Sequence, residues 1–298
     1  MTRVLAGTDK GLLDVSSGER LLLGSVGAIA QGEGNWWCVV DGYRVFTSPD
    51  SRSWSEAAAI RGIRANCLIA ADGGALVGTS DAHVVKVSDG SATRMRSFDR
   101  VPTRDDWYTP WGGPPDTRSL SRDAGGRAYA NVHVGGILAS EDGEAGWHAT
   151  TMDVDADVHQ VLAHPTEPGL AFAATAIGMA ITRDGGASWE FTEEGLHAAY
   201  CRAVALAGDV ILLSASTSHT GKKSALYRRD LEGNAFERCT EGLPEWFADN
   251  VDTYCLDAGA GSAALGTSDG IVFVSEDAGR SWSKLAAGLP PISCVVLA

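Results

Sequence analysis

The sequence has no long hydrophobic run and few aromatic residues. No apolar stretch approaches the roughly 20 residues needed to span a bilayer, so we expect no membrane partner. The chain opens MTRVLAGTDKGLL, without the basic segment and apolar stretch of a signal peptide, and we therefore expect a cytoplasmic protein. Aromatic residues make up only 7% of the chain, whereas glycine occurs 36 times. This balance favours many short strands joined by tight turns.

Positive charge is also scarce. The chain has 24 Lys and Arg residues against 38 Asp and Glu residues, for a formal net charge of −14. This sign argues against a nucleic acid or an anionic membrane surface as the main partner. Apolar residues make up 44% of the 298 residues, which is too many for a disordered chain. A chain of this length can bury a core without a metal or a disulfide.

Motifs for cofactors and disulfides are missing too. The chain has no Walker phrase, no nucleophile elbow and no HxH or HxxxH pair, so we expect no cofactor. No two of its six cysteines form a CxxC pair, and most lie in apolar runs. We therefore expect buried, reduced thiols. The cysteines are Cys38, Cys67, Cys201, Cys239, Cys255 and Cys294.

A short phrase of the form [S/T]-x-D-x-G-x-x-W recurs after apolar, strand-like runs. It predicts a hairpin turn, because an aspartate can accept backbone N–H groups of its own loop and glycine supplies a positive φ. The tryptophan would begin the next strand and pack between sheets. We therefore predict structural roles for Asp50, Asp142, Asp184 and Asp277. The copies are Thr182–Trp189 (TRDGGASW), Ser275–Trp282 (SEDAGRSW), Ser140–Trp147 (SEDGEAGW) and the shorter Ser48–Trp54 (SPDSRSW).

This phrase resembles the Asp-box, or BNR repeat, of sialidase-like β-propellers. The resemblance implies that the four aspartates lie on the face opposite the ligand site. The catalytic motifs of sialidases do not accompany it, since Arg3 is followed by VLAG and no RIP phrase is present. The residues that could imitate the sialidase arginine clamp and catalytic tyrosine are Arg64, Arg118 and Arg202, with Tyr200 or Tyr254.

A second phrase, seen as VLAGTDKGLL and ALVGTSDAHVV, recurs seven times with a mean spacing of about 43 residues, which is typical of a four-stranded propeller blade. We therefore predict an all-β fold, a single seven-bladed β-propeller domain over residues 1–298. One apolar strand precedes each later copy, whereas the last such strand has no unit of its own. We predict that Ile292–Leu297 joins the N-terminal blade and closes the ring, which removes open sheet edges.

Alignment of the inner strands predicts a polar ring near the propeller axis. Buried Arg, His and Asp are costly unless they are paired or used, so this ring is a candidate anion-binding pocket. The open alternative is a self-satisfied plug, with Arg202 paired to Asp252 and His159 bonded to a backbone carbonyl. The candidate catalytic residues are His159, Asp252 and Tyr254. The candidate ligand-binding residues are Arg64, Asn66, Arg118, Arg202 and His133.

Two segments interrupt the repeat on the expected ligand face. Asp99–Asp116 carries Trp107, Tyr108 and Trp111, and we predict that it forms a partial lid; packing on the outer rim is the alternative. Thr217–Ser224 is either a binding loop or a solvated turn. Convergence of histidines on this face leaves a divalent-metal site as an alternative without support from spacing. These histidines are His83, His133, His159, His197 and His219.

These observations lead to three hypotheses on function. The first is a propeller that binds a small polar or anionic molecule in the Arg/His/Asp pocket, with chemical transformation of that molecule left open. The second is a scaffold that docks a protein partner on one face. The third is a sialidase-like glycosidase.

Overall fold

A computed structural model describes residues 2–32 and 34–298. In this part of the chain almost all regular structure is β-strand. The first fourteen strands are β1 (Val4–Thr8), β2 (Gly11–Asp14), β3 (Glu19–Leu22), β4 (Val26–Gln31), β5 (Trp36–Val40), β6 (Arg44–Ser48), β7 (Ser55–Ala59), β8 (Ala65–Ala71), β9 (Gly74–Thr79), β10 (His83–Ser88), β11 (Ser91–Arg94), β12 (Thr117–Arg122), β13 (Ala128–Val132) and β14 (Gly136–Ser140).

The remaining strands are β15 (His148–Ala149), β16 (Val158–Ala163), β17 (Ala171–Thr175), β18 (Gly178–Thr182), β19 (Glu190–Thr192), β20 (Tyr200–Ala207), β21 (Val210–Ser216), β22 (Ala225–Asp230), β23 (Glu237–Arg238), β24 (Leu256–Gly259), β25 (Ser262–Gly266), β26 (Val272–Ser275), β27 (Ser283–Ala286) and β28 (Ile292–Leu297). The helical elements are one turn of α-helix, α1 (Arg96–Asp99), and two 3-10 turns, Pro102–Asp106 and Val154–Ala156. No helix in the described ranges is long and apolar enough to cross a bilayer.

The strands form seven four-stranded antiparallel sheets, and the fold is an all-β seven-bladed β-propeller, as predicted. The sheet orders are β28–β1–β2–β3, β4–β5–β6–β7, β8–β9–β10–β11, β12–β13–β14–β15, β16–β17–β18–β19, β20–β21–β22–β23 and β24–β25–β26–β27.

The chain divides into two compact units. The first comprises Met1–Gly27, Ala174–Met179 and Thr192–Ala298, and the second comprises Ala28–Ala173 and Ala180–Phe191. The first unit contains the sheets that include β1, β20 and β24. The second contains the sheets that include β4, β8 and β12, with most of the sheet that includes β16. The single domain over residues 1–298 stays a prediction.

The C-terminal strand completes the N-terminal sheet. β28 pairs antiparallel with β1, with Leu5 opposite Val296 and Gly7 opposite Cys294. The prediction that Ile292–Leu297 joins the N-terminal blade is therefore confirmed. The closure supplies β1 with a hydrogen-bonding partner on the side that β2 leaves open.

The middle strands and the outermost strands differ in burial. The strands β5 (WWCVV), β13 (AYANV) and β14 (GILAS) are buried along their whole length, because sheets cover both of their faces. The outermost strand β11 (SATR) is exposed throughout and accordingly polar. All six cysteines are free and buried, as predicted. Burial raises the pKa of Cys201, Cys239 and Cys294 to about 12 each, so these thiols stay protonated.

The recurring glycine–threonine phrase has a packing explanation. A Cβ atom on Gly7 would lie 2.5 Å from Cys294 Sγ, and one on Gly78 would lie 2.4 Å from Cys67 Sγ, so only glycine fits at these positions. The threonine that follows closes the next hairpin. For example, the hydroxyl of Thr8 donates to the carbonyl of Gly11 at 2.9 Å. The glycine of the phrase therefore lies where its strand packs closely against a side chain of the adjacent inner strand.

The four aspartate phrases form the loops between the third and fourth strands of their sheets. Asp50 Oδ1 accepts the backbone N–H groups of Arg52 and Ser53 at 2.9 and 2.7 Å. Asp277 Oδ1 accepts the N–H of Ser281 at 2.9 Å, and its Oδ2 accepts the Ser281 hydroxyl at 2.6 Å. Asp142 and Asp184 make the same kind of contact within their own loops. Each carboxylate therefore holds its turn together.

Candidate functional site

Three polar side chains of the second unit meet around the Asp157 carboxylate. Asp157 Oδ1 lies 3.6 Å from Arg118 Nη1 and 3.4 Å from His133 Nε2, and Asp157 Oδ2 lies 3.5 Å from His159 Nε2. We call these four residues the Asp157 site. They are brought together by three neighbouring elements, since Arg118 is the second residue of β12, His133 directly follows β13, and Asp157 precedes β16.

Local backbone conformation places Asp157 at this point. The Asp153 carboxylate caps the 3-10 turn Val154–Ala156 by accepting the N–H of Asp155 at 3.0 Å. Asp157 ends the turn in the left-handed region, with φ 46° and ψ 72°, which aspartate tolerates better than most residues. The chain reverses there and enters β16, so that Asp157 and His159 share the site.

The site combines buried imidazoles with a carboxylate that stays ionised. His159 is fully buried and His133 is 6% exposed. Burial alone would raise the pKa of Asp157, but the contacts with His133 and His159 outweigh it and hold the pKa far below its usual range. Burial raises the pKa of the nearby Asp116 carboxyl, while the charges of His133 and Arg118 oppose that shift.

The first half of the Asp99–Asp116 insertion is anchored to the protein body. Arg104 donates to the carbonyls of Asp81 and Ala82, both at 2.6 Å. Trp107 is 8% exposed and packs near Phe98, with ring centroids 6.1 Å apart. Trp107 is therefore a packing residue here and faces the interior instead of solvent.

The second half of the insertion reaches the Asp157 site. The Trp111 ring lies 4.8 Å from the His133 ring and is 73% exposed. The Tyr108 hydroxyl donates to Asp155 Oδ1 at 2.9 Å. Two of the three aromatic side chains of the predicted lid thus border or flank this site.

His83, another histidine of the second unit, helps to anchor the start of the insertion. His83 Nδ1 lies 2.7 Å from Asp99 Oδ1, and Arg94 Nε donates to Asp99 Oδ2 at 2.5 Å. Burial lowers the pKa of His83 in spite of Asp99. These contacts attach α1 and the start of the insertion to β10 and β11.

Two further sequence candidates of the second unit do not contact Asp157 directly. Asn66 is a half-buried residue of β8, at an irregularity where Ala65 pairs with Thr79 and Cys67 with Gly78. Arg64 is exposed, and its side chain lies over Gly42.

In the first unit, Arg202 is paired as the plug alternative expected. Its Nε donates to Asp252 Oδ1 at 2.7 Å, and its Nη1 lies 3.4 Å from the Tyr200 hydroxyl. The predicted placement of Asp252 on an inner strand is wrong, because β24 begins only at Leu256. A turn from Asp252 to Cys255, with Tyr254 at φ 66°, precedes the strand.

The remaining histidines of the metal alternative lie in the first unit. His197 Nδ1 is 2.6 Å from the Tyr227 hydroxyl, so this side chain already has a partner. His219 contributes its backbone carbonyl to Asn250 Nδ2 at 3.2 Å. Within residues 2–32 and 34–298, no group of three or more His, Cys, Asp or Glu side chains is placed to hold a metal ion.

Sequence reasoning missed the two acidic members of this region, Asp157 and Asp116. Asp157 belongs to the acidic stretch DVDAD directly before β16, and nothing local separates it from Asp153 or Asp155. Asp116 was only the end of the insertion. Their position could have identified them, because both residues directly precede an inner strand.

Comparison with known proteins finds likeness at the level of structure only. No family model and no curated protein matches the chain. A proposed 6-phosphogluconolactonase from Bacteroides uniformis superposes with a TM-score of 0.64 at 12% identity, over 100% of this chain and 99% of that one. YCF48 from Cyanidioschyzon merolae gives a TM-score of 0.60 at 14% identity, over 89% and 86% of the chains. A chain of the Mitotic Checkpoint Complex gives 0.62 at 14% identity, over 97% and 86%. At these identities the likeness concerns the fold alone.

Proposed function

We propose that this propeller binds a small polar or anionic molecule at the Asp157 site. The observation that carries the proposal is the convergence of Arg118 and two buried histidines on one carboxylate, at a place bordered by the exposed ring of Trp111. Buried ionisable groups at one place are more common at functional sites than elsewhere.

The three contacts around Asp157 are long ones. The three contacts to Asp157 measure 3.4 to 3.6 Å, longer than the 2.7 to 3.2 Å of a good N–H···O hydrogen bond. A ligand oxygen can therefore compete for the same N–H groups. The guanidinium of Arg118 suits a carboxylate or phosphate, which it can bind through two parallel hydrogen bonds. In this arrangement Asp157 balances charge and orients the imidazoles.

Whether the ligand is also transformed depends on His159. Its imidazole contacts an ionised carboxylate, an arrangement that many enzymes use to move a proton. Asp252 and Tyr254, the other two candidate catalytic residues, lie in the first unit and have no role in this proposal.

The proposal is tested by calorimetric titration of the wild-type protein and an Arg118→Ala variant with malonate, citrate and 6-phosphogluconate. We expect saturable binding of at least one of these anions, and an affinity about tenfold lower in the variant. Arg44→Ala is the matched control, because Arg44 pairs with the exposed Glu56. Absence of binding by all three anions, or equal affinity in both arginine variants, contradicts the proposal.

The role of the insertion is tested by two tryptophan variants. Trp111→Ala should weaken anion binding several-fold with little change in the melting temperature, because the ring is mostly exposed. Trp107→Ala should instead lower the free energy of unfolding by about 3–5 kcal/mol, since its ring is buried. If Trp111→Ala binds the anion as well as wild type does, the insertion is a rim brace.

A protein-docking scaffold is the second candidate function. It is favoured by the exposure of Trp111 (73%) and Tyr108 (46%) on one loop, since adjacent exposed aromatics often mark interfaces. Among the similar structures, one is YCF48 bound to D1 peptide, with a TM-score of 0.57 at 13% identity. On this alternative, Trp111→Ala would break a partner complex that Arg118→Ala leaves intact.

We also propose that the four aspartate loops are Asp-boxes and that the chain is a divergent sialidase-like propeller. The carboxylate-to-backbone bonds of Asp50 and Asp277 support this relationship. A glycosidase activity has less support, because Arg202, one of the arginines of the hypothetical clamp, is paired with Asp252. Turnover of a fluorogenic sialoside tests that activity. The cytoplasmic location, which six free thiols would suit, stays a prediction.

A further inference from the structure

The inner strand β8 carries a buried hydrogen-bond donor that the protein itself does not use. Asn66 Nδ2 is buried and has no hydrogen-bond partner among residues 2–32 and 34–298. An unsatisfied buried N–H group is costly, and such groups in folded proteins are nearly always paired. An oxygen atom from outside the chain that reached this amide would bind it without competition from a partner in the protein.

The local strand geometry presents the Asn66 side chain on the less buried side of β8. Asn66 lies between two successive cross-strand pairs, Ala65 with Thr79 and Cys67 with Gly78. Its neighbours Ala65 and Cys67 are buried, at 4% and 0% exposure, whereas Asn66 is half-buried. A register shift of this kind re-aims a side chain relative to the regular ladder. The amide therefore belongs to the more open side of the strand, although its nitrogen atom is covered.

Arg118 occupies the same kind of position on the next inner strand. It also lies at a register shift, and its neighbours Thr117 and Ser119 are buried while Arg118 itself is half-buried. Cys67 Sγ donates to the carbonyl of Thr117 at 3.6 Å, so β8 and β12 are in contact at this level. Asn66 and Arg118 each adjoin a residue of this contact. The unused amide therefore lies at a position neighbouring the cation of the Asp157 site.

The Asp116 carboxyl lies within electrostatic reach of both strands. Asp116 is half-buried and directly precedes β12. Burial raises its pKa, and the charges of His133 and Arg118 oppose that shift. Arg64, directly before β8, opposes it as well, whereas Asp81 adds to it. Asp116 is therefore a hydrogen-bond acceptor close to Arg118 and to the start of β8.

Net charge does not by itself make this place attractive to an anion. The cations of the region are Arg118 and Arg64, and the nearest carboxyl groups are those of Asp157 and Asp116. The adjoining loops carry further acidic side chains, which are Asp81, Asp153 and Asp155. Since these charges offset the cations, an anion that binds here depends on directional hydrogen bonds, including bonds from neutral donors.

We propose that the Asp157 site takes a 2-hydroxycarboxylate and that Asn66 recognises the hydroxyl group of this ligand. The inference rests on the proposed function, in which the ligand carboxylate binds the guanidinium of Arg118 through two parallel hydrogen bonds. The hydroxyl group on the adjacent carbon accepts a hydrogen bond from Asn66 Nδ2 and donates one to the Asp116 carboxyl. A hydroxyl group is both donor and acceptor, so it satisfies both side chains, whereas a methylene group satisfies neither.

The test compares two anions that differ only in this hydroxyl group. Malonate and tartronate, which is 2-hydroxymalonate, have the same carboxylate groups and the same charge at neutral pH. Calorimetric titration of the wild-type protein should show that tartronate binds about tenfold more tightly, because only tartronate pairs with the buried amide.

The result separates this inference from the proposed function. Equal affinity for malonate and tartronate would mean that water satisfies Asn66, and it would overturn the inference while the proposed function stands. If neither of these anions binds, and citrate and 6-phosphogluconate do not bind either, the proposed function itself has failed.

An Asn66→Ala variant locates the hydroxyl recognition on the protein. It should bind malonate as the wild type does and tartronate about tenfold more weakly, so that the preference for the hydroxyl group disappears. Asn234→Ala, which removes an exposed amide of the first unit, is the matched control and should keep the preference. An equal loss of affinity for both anions in Asn66→Ala would indicate a general disturbance of the site and would overturn the inference.

Thermal unfolding of Asn66→Ala without ligand gives a second readout. Because Asn66 Nδ2 has no partner among the described residues, its removal should leave the melting temperature close to that of the wild type. A structural role predicts a clear drop in the melting temperature instead. Such a drop would show that the amide already has a partner in the protein, and it would overturn the inference.

Discussion

Aspartate side chains occupy three different environments in this protein. In the loop after β26, burial opposes ionisation, but the bonds from Ser281 and Ser275 together outweigh it and lower the pKa of Asp277 to about 2. At the Asp157 site the neighbouring histidines keep a buried carboxyl ionised. On β24, burial raises the pKa of Asp257 to about 6, although its Oδ2 accepts the N–H of Leu297 at 2.8 Å. The same side chain is stabilising or costly according to the donors around it.

Asp257→Asn is therefore expected to stabilise the protein at neutral pH. The folded-state pKa lies above the unfolded value of 3.8, so the contribution of the protonated form is complete below about pH 3.8 and is lost as pH rises through 6. An asparagine cannot ionise and keeps an oxygen for the Leu297 N–H. We expect a gain of about 1–2 kcal/mol in the free energy of unfolding at pH 7.5 and a clearly smaller gain at pH 4.5.

Urea unfolding at both pH values measures this difference. Asp209→Asn is the control. Asp209 lies on an exposed turn, and this substitution removes the same formal charge as Asp257→Asn. A gain of equal size at pH 7.5 and pH 4.5 would show that ionisation of Asp257 is not the cause.

At the scale of elements, the inner strands share an irregularity near their first residue. In β8, β12 and β28 the register shifts at Asn66, Arg118 and Ser293, which fall between two successive cross-strand pairs. Such bulges re-aim side chains and are common next to binding sites. In β12 the bulge residue is Arg118, the cation of the Asp157 site. The register shift explains why the side chain of Arg118 can contact Asp157 although Arg118 belongs to a β-strand.

Side chains of the inner strands also tie consecutive sheets together. Within the first unit, Ser293 Oγ donates to the carbonyl of Val26 at 2.6 Å and Cys255 Sγ to the carbonyl of Ile292 at 3.5 Å. In the second unit, Asn131 Nδ2 donates to the carbonyl of Val158 at 2.9 Å. A small polar or thiol side chain thus replaces the missing main-chain bonds between sheets.

Removal of residues 292–298 should abolish the native fold. The truncation deletes β28, which pairs along the whole of β1, and removes Ile292 and Val295 from a buried cluster with Val4 and Ala6. It leaves the edge of β1 unpaired and leaves Asp257 without the Leu297 N–H. We expect an aggregated or non-cooperatively melting product, as judged by gel filtration and thermal unfolding.

Ser293→Ala is the matched control for this truncation. It keeps the strand and removes only the bond to Val26, so we expect a cost of about 1 kcal/mol and a soluble monomer. A truncated protein that elutes and melts like Ser293→Ala would mean that β28 is dispensable.

At the scale of the whole molecule, the net charge of −14 disfavours binding of nucleic acids. We expect no binding of a duplex of about 30 base pairs at about 0.15 M salt, because too few basic side chains are available to displace counterions. An electrophoretic mobility assay at micromolar protein checks this. A shift that weakens steeply with added salt would contradict the expectation and would indicate a basic surface large enough to bind phosphates.

The sequence by itself determined the fold class of this protein. The aspartate loops and the glycine–threonine phrases are local devices, set by the turn preferences of Asp and Gly and by close packing at positions such as Gly7. Their repetition at about 43 residues specified seven sheets. The unmatched strand at residues 292–297 specified closure. The turns and the repeat needed only local patterns, and the closure needed only a comparison of the two ends of the repeat.

Only the tertiary structure decided what the polar residues do. Arg118, His133 and His159 could be singled out from the sequence, but their common partner Asp157 could not, because it owes its place to a left-handed turn before β16. Nor could the sequence show that Trp107 is interior while Trp111 is exposed, since both belong to one loop. These outcomes depend on bulges, turns and contacts between residues far apart in the chain, which no local pattern encodes.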